Sequence, residues 1–208
     1  MPTLDCPVAL PGFEHIKRYW DKTRGKYSAK IHPGELYVTK ADELIATVLG
    51  SCISACIRDP AKGIGGMNHF MLPATNNKNF SSSTDLSAAT RYGNFAMEHL
   101  INSILRFGGS KAKLEIKVFG GGKVLAQMTN VGLKNVQFIH DYIHVEGLEI
   151  VAEDTGGIHP RKVVYDPISG KVGIKKLKAV HNNTIEARES RYQNELSLTK
   201  VEGEVDLF

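Results

Sequence analysis

The sequence has few cysteines, and their spacing matches neither a disulfide framework nor a zinc site. Three of the 208 residues are cysteine, at Cys6, Cys52 and Cys56. An odd, low number argues against a set of disulfides, and the four-residue spacing of the last two differs from that of paired zinc ligands. The sequence therefore predicts free thiols in a reducing compartment, and we expect a cytoplasmic protein.

Long apolar runs and concentrated charge of one sign are also missing from the sequence. The longest mostly apolar stretch, residues 44–57, is interrupted by Gly50 and Ser51 and is too short to span a bilayer. Pro2 and Pro7 interrupt any secretory signal at the start. The formal net charge of +4 comes from scattered basic residues. We therefore expect no membrane insertion and no nucleic-acid partner.

The composition is that of a globular protein, with 42% hydrophobic and 23% charged residues. Residues 1–34 are predicted to form an N-terminal extension with a short helix over 13–21, and the polar residues 181–208 are predicted to form a flexible tail. Residues 35–180 are predicted to form one domain. Within it, hydrophobic periodicity predicts helices over 84–107 and 135–147, and strands in the segments 35–39, 44–52, 52–58, 64–73, 113–120, 148–157 and 161–177, the last as a hairpin.

Cys52 and His69 stand out because a simple hairpin places them side by side. If residues 52–58 and 64–70 pair symmetrically about Pro60 and Ala61, Cys52 lies directly opposite His69. Directly opposed side chains have Cβ atoms about 4.5–5.5 Å apart, which permits a thiol–imidazole contact. A thiol beside an imidazole is a nucleophile with its own base. The alternative is that Cys52 is a small buried core residue, as free cysteines often are.

Polar residues near this pair are candidates for supporting roles. Gly50 and Ser51 precede the cysteine in a tight turn whose backbone N–H groups can face a developing oxyanion. A third polar group usually orients the histidine, and Thr47 is the nearest candidate, followed by Asn68 and Ser51. Cys56 has no such partner, so we interpret it as a core residue.

Two other features are better explained by a structural role than by ligand binding. His140 and His144 lie one helical turn apart, but no cysteine or carboxylate cluster completes a metal site with them. The segment "FGGGKVL" lacks the spacing and the ending of a phosphate-binding loop, so we interpret it as a packing turn.

Six segments occur in the order typical of a known family, and they extend over most of residues 30–178. The chain resembles the chemoreceptor glutamine deamidase CheD family in "TVLGSCISACIRDP", "GIGGMNHFMLP", "RYGNFAMEHLINSIL", "KVFGGGKVL", "VGLKNVQF" and "EDTGGIHPRKVVYDPISGKV". The ordered set is far more specific than "LGSC" alone.

The resemblance implies a fold and an activity. The fold is a single-domain α/β sandwich with a mixed, largely antiparallel β-sheet and packed helices, similar to bacterial toxin cysteine deamidases. The activity is that of a protein-glutamine glutaminase, which hydrolyses specific glutamine side chains on the helical cytoplasmic domains of methyl-accepting chemotaxis receptors. Demethylation of receptor glutamate methyl esters is implied for some members.

The resemblance also implies residue roles and partners. Cys52 matches the family's nucleophile, His69 its general base and Thr47 its assisting threonine. Gly50, Ser51 and Asn68 are expected to hold the oxyanion or position the substrate. No metal or cofactor is expected. The expected partners are chemoreceptor cytoplasmic domains and, in some bacteria, a CheC-type phosphatase.

Two alternatives to a receptor deamidase stay open at this point. The same Cys–His pair would serve another cysteine hydrolase, such as a protease, amidase or transglutaminase, because all of them use acyl-thiol chemistry. An adaptor that regulates by binding alone would need neither residue. Substitution of Cys52 separates an adaptor from an enzyme.

Overall fold

The predicted strand segments, together with two strands from the N-terminal 34 residues that were not predicted, form two five-stranded sheets. The computed structural model describes residues 5–73, 83–124, 130–177 and 182–198. The strands are β1 (Arg18–Asp21), β2 (Lys26–Lys30), β3 (Leu36–Thr39), β4 (Leu44–Leu49), β5 (Ile53–Asp59), β6 (Ile64–Asn68), β7 (Glu115–Gly120), β8 (Ile150–Thr155), β9 (Arg161–Tyr165) and β10 (Val172–Lys176). The helices are α1 (Ser83–Arg106), α2 (Val131–Val145) and α3 (Asn182–Leu198), with a short 3₁₀ turn at Lys111–Lys113.

Both sheets are mixed and largely antiparallel, and their buried side chains belong to one main core. The first sheet has the order β1-β2-β4-β9-β10, with β2 and β4 parallel. The second has the order β3-β6-β5-β7-β8, with β7 and β8 parallel. Helix α1 packs on β3, β5 and β6, and α2 packs on α1 and β5. The predicted α/β class with a largely antiparallel sheet is confirmed, although the strands divide between two sheets.

The β5–β6 hairpin forms as predicted, but its register differs by two residues. Asp59 pairs with Ile64, so the loop has four residues, 60–63, instead of two. Its turn is fixed by the Asp59 carboxylate, which accepts hydrogen bonds from the N–H groups of Ala61 at 2.9 Å and Lys62 at 3.2 Å. The predicted direct opposition of Cys52 and His69 is therefore wrong. An even shift leaves each side chain on the predicted face of the hairpin, because strand side chains alternate.

The N-terminal 34 residues contribute two strands to the first sheet. The short helix predicted over 13–21 is wrong, because residues 18–21 form β1 and pair with β2. Trp20 lies opposite Tyr27, with ring centroids 5.3 Å apart, and such aromatic cross-strand pairs favour a hairpin. The limits proposed for the central domain, 35 and 180, stay a prediction.

The flexible tail predicted for residues 181–208 is wrong for 182–198, which form α3. Among the α3 side chains whose burial the structure describes, the buried ones are four residues apart, at Ile185, Glu189 and Gln193. Two of the three are polar, so a search for apolar periodicity does not detect this face. Residues 199–208 lie outside the described part of the chain. Among the described residues, no helix is long and apolar enough to cross a membrane.

Candidate active site

Cys52 lies in the turn between β4 and β5, and a glycine-rich segment holds that turn in place. The N–H of Gly121 donates a hydrogen bond to the Cys52 carbonyl at 2.7 Å, and the N–H of Gly122 donates one to the Gly50 carbonyl at 2.7 Å. Gly120 has φ +116°, and a Cβ there would lie 2.1 Å from the Cys52 carbonyl oxygen. Only glycine fits such a close approach. The interpretation of "FGGG" as a packing turn is therefore confirmed.

His69 lies just beyond β6, and two hydrogen bonds fix its backbone. Its N–H donates to the Glu35 carbonyl at 2.9 Å, and its carbonyl accepts from the Gly34 N–H at 2.8 Å. The side chain is buried with 2% of the residue exposed. The backbone of His69 is therefore held by the loop that precedes β3.

Thr47 sets the tautomer of the His69 ring. Its hydroxyl donates a hydrogen bond to the Ile31 carbonyl at 2.8 Å and lies 2.8 Å from His69 Nδ1. A hydroxyl has one hydrogen to donate, so Thr47 accepts from Nδ1–H. The neutral ring then carries its lone pair on Nε2, which is buried and has no hydrogen-bond partner among the described residues. An unpaired ring nitrogen of this kind is poised to accept a proton.

The Cys52 thiol, a ring nitrogen of His69 and a carboxylate oxygen of Glu189 all lie within 4.8 Å of one another. Cys52 has none of its surface exposed, and Glu189 has 2%. The first two come from the β4–β5 turn and the end of β6, whereas Glu189 comes from α3. The structure thus brings together the predicted pair and a third residue that the sequence analysis did not detect.

The Glu189 carboxylate is bound by the backbone around the cysteine. Oε1 accepts hydrogen bonds from the N–H of Gly50 at 2.8 Å and, more weakly, from the N–H of Cys52 at 3.4 Å. Oε2 accepts from the N–H of Ser51 at 2.8 Å and from its hydroxyl at 2.6 Å. A Cβ at position 50 would lie 2.7 Å from Oε2. Three successive N–H groups therefore form a concave anion site beside the thiol, as backbone nests do.

Burial keeps the pair in its neutral form in this closed arrangement. Burial, with smaller contributions from the charges of His32 and Arg188, lowers the pKa of His69 from 6.5 to about 3. Burial raises the pKa of the Cys52 thiol well above its ordinary value, and the Glu189 carboxylate adds to that increase. The site therefore holds a thiol and a neutral imidazole, with no thiolate while α3 is in place.

Asn68 does not take part in the site. Its side-chain oxygen accepts a hydrogen bond from the Ala55 N–H at 2.8 Å, and its amide nitrogen donates to the Ala96 carbonyl at 3.1 Å. These bonds attach β6 to β5 and to α1, on the side of the strand away from His69. We therefore assign Asn68 a structural role, which corrects its expected role in positioning the substrate.

Asn135 of α2 supports the site, and the sequence analysis missed it. Its amide nitrogen donates a hydrogen bond to the Ser51 carbonyl at 2.8 Å, and its side-chain oxygen accepts from the Leu72 N–H at 2.9 Å. The residue is fully buried. An asparagine bonded through both its amide nitrogen and its side-chain oxygen fixes the Ser51 peptide. A polar residue on the buried face of a predicted helix was the signal available for finding it.

Cys52, His69 and Glu189 also form the one set of ligand-type side chains in the described part of the chain that could hold a metal ion. Both Glu189 oxygens already accept hydrogen bonds from the backbone. His140 and His144 do not belong to this set, and His140 Nε2 lies 2.9 Å from the Glu153 carboxylate on the surface. In this geometry the Glu189 carboxylate is therefore bound by backbone N–H groups.

The fold and this geometry define an α/β protein with a buried cysteine–histidine–threonine constellation. The family model described as "CheD chemotactic sensory transduction" matches residues 71–176. A protein from Hahella chejuensis is 54% identical over 202 residues, which cover 97% of this chain and 95% of that protein. One from Halorhodospira halophila is 52% identical, with 97% of this chain and 94% of that protein covered. One from Hydrogenovibrio crunogenus is 52% identical, with 90% of this chain and 97% of that protein covered.

All three relatives carry the name "Probable chemoreceptor glutamine deamidase CheD". The chain belongs to the CheD family. The family expected from the six sequence segments is therefore confirmed.

Proposed function

We propose that this protein deamidates glutamine side chains of chemoreceptors, with Cys52 as nucleophile and His69 as base. The observation that carries the proposal is the hydrogen-bonded chain from Ile31 through Thr47 to His69 Nδ1, which leaves Nε2 free to take a proton near the Cys52 thiol. The names of the relatives supply the substrate class.

The first half of the reaction forms a thioester. His69 Nε2 takes the thiol proton as Cys52 Sγ attacks the carboxamide carbon of the glutamine. The carbonyl oxygen becomes an oxyanion, which the N–H groups of Gly50, Ser51 and Cys52 stabilise by hydrogen bonds. The tetrahedral intermediate then collapses, the carbon–nitrogen bond breaks, and His69 returns the proton to the departing ammonia.

The second half hydrolyses the thioester. His69 takes a proton from a water molecule as the water oxygen attacks the carbonyl carbon. The carbon–sulfur bond breaks, the thiol regains a proton from His69, and glutamate leaves. The same steps apply to a methyl ester, with methanol as the first leaving group, so demethylation of receptor glutamate methyl esters is a second activity that this site can support.

The proposal is tested by mass spectrometry of a chemoreceptor cytoplasmic fragment after incubation with the enzyme. We expect wild type to convert discrete glutamines to glutamate and Cys52→Ala to leave them unchanged. Cys56→Ala is the matched control, because Cys56 is equally buried and its sulfur has no role in the steps above. Conversion by Cys52→Ala at the wild-type rate would refute the thiol mechanism, and binding without conversion by wild type would favour an adaptor.

We also propose a cytoplasmic location, where the receptor domains lie. Three free cysteines, one of them exposed, are consistent with a reducing compartment. Association with a CheC-type phosphatase stays a prediction, to be tested by co-purification of the two proteins.

A further inference from the structure

Helix α3 closes the candidate active site with a side chain that has the chemistry of the reaction product. Glutamate is what the deamidation of glutamine yields, and Glu189 is a glutamate presented on a helix. Its carboxylate sits on the N–H groups of Gly50 and Ser51 and within 4.8 Å of the Cys52 thiol and a His69 ring nitrogen. These N–H groups are the ones that would bind the oxyanion of a substrate.

The closed state excludes a substrate. Cys52 has no exposed surface and His69 has 2%, so a glutamine on another protein cannot reach the thiol while α3 is in place. Any turnover on a macromolecule therefore requires α3 to move.

The contacts of α3 fit a helix that docks and leaves. Its buried face carries two polar side chains, Glu189 and Gln193, beside Ile185. Tyr192 hydrogen-bonds Tyr92 of α1 and lies against Gly34, next to the loop that carries His69. Polar side chains such as these regain hydrogen bonds with water on release, so each contact contributes only a fraction of its gross energy to keeping the helix docked.

We propose that α3 occupies the substrate groove as a product-like helix, and that a receptor helix presenting a glutamine takes its place during turnover. This inference rests on the proposed function. It assigns the groove beneath α3 as the receptor-binding surface, and Glu189 marks the position of the reacting side-chain carbon. It also makes α3 an internal competitive inhibitor.

The first test converts the product-like side chain into a substrate. We expect Glu189→Gln to deamidate itself, by attack of Cys52 Sγ on the introduced carboxamide, release of ammonia and hydrolysis of the thioester. Peptide mass spectrometry would detect a carboxyl group at position 189. The double variant with Cys52→Ser should keep the carboxamide. Glu195→Gln is the matched control, since Glu195 is exposed on the same helix and its amide should persist.

The second test measures closure without using catalysis. Glu189→Ala removes the contact with the anion site, and we expect alkylation of Cys52 by iodoacetamide to become about tenfold faster, the change that loss of one hydrogen bond to a charged group produces in an opening equilibrium. Glu195→Ala should leave the rate unchanged. Cys56 serves as an internal standard in the same digest, because it is buried in the core away from α3.

The outcomes separate this inference from the proposed function. Self-conversion at position 189 that requires Cys52, together with faster alkylation in Glu189→Ala, supports the inference. If the receptor fragment is deamidated while the introduced carboxamide persists and alkylation is unchanged, the inference is overturned and the function stands. If alkylation rises but neither the receptor fragment nor position 189 is converted, the proposed function fails, and with it the product-like role of α3.

Discussion

Thr47→Val removes the hydroxyl that links His69 to the Ile31 carbonyl while nearly conserving side-chain volume. Two buried groups then lose their partners, His69 Nδ1–H and the Ile31 carbonyl oxygen. Each unsatisfied buried group costs about 1–3 kcal/mol, so for two groups we expect the free energy of unfolding to fall by about 2–6 kcal/mol. The tautomer with its proton on Nε2 also becomes more populated, and that tautomer cannot accept the thiol proton.

The kinetic effect follows from the same numbers. A cost of about 1.4–2.8 kcal/mol on the reactive tautomer lowers kcat by about 10- to 100-fold. Ammonia release from a chemoreceptor fragment measures this rate, and urea titration measures stability. Thr47→Ser keeps the hydroxyl and should retain a rate near that of wild type.

Two results would refute the role given to Thr47. One is a wild-type kcat in folded Thr47→Val. The other is nitrogen NMR of the wild-type protein that finds the His69 proton on Nε2, because the hydrogen-bond geometry requires it on Nδ1.

Two further predictions concern the turn and the buried histidine. Gly120→Ala should unfold the turn that carries Cys52 or abolish activity, because its Cβ would lie 2.1 Å from the Cys52 carbonyl oxygen at a φ of +116°. The control is Gly25→Ala, where a Cβ at φ +64° meets open space. This control should lower the free energy of unfolding by only about 1 kcal/mol, measured by thermal unfolding. For His69, the pKa is about 3 in the folded state and 6.5 when unfolded, so the unfolded state binds the proton first on acidification. As the pH is lowered from 6.5 to 3, the free energy of unfolding should therefore fall by up to about 1.4 kcal/mol per pH unit. In His69→Gln this contribution to the pH dependence of stability should be absent. Equal pH dependence of the two proteins in urea titrations would contradict the lowered pKa of His69.

The β5–β6 hairpin shows how far the sequence alone could lead. Alternation of side chains predicts both strands and places Cys52 and His69 on one face, because that property depends only on parity. The exact register depends on the loop, and the loop depends on the Asp59 carboxylate, which caps two N–H groups within it. A turn set by one side-chain contact is difficult to distinguish from a shorter one by inspection of the sequence.

The two ends of the chain were predicted less well because tertiary contacts decide their structure. β2 becomes a strand through parallel pairing with β4, a partner that local patterning does not reveal. Helix α3 buries a glutamate and a glutamine, and polar residues usually indicate a solvated face. The N–H groups of the Cys52 turn, which bind the Glu189 carboxylate, explain why that glutamate is buried.

The residues of the candidate site also differ in whether the sequence could predict them. Thr47 and His69 are 22 residues apart in the sequence, with Cys52 between them, so residue types and spacing could bring the three together. Glu189 is 137 residues from Cys52 in the sequence, and its role depends on where α3 docks. No local pattern carries that information.

The most direct test of the central claim is detection of the thioester on Cys52. The enzyme would be mixed with a glutamine-containing receptor peptide, quenched in acid and analysed by intact mass and peptide mapping. The account predicts an adduct with the mass of the peptide less ammonia, attached at Cys52 and released by hydroxylamine. Deamidation of the peptide with no adduct at any time point, and with no loss of rate in Cys52→Ser, would contradict it.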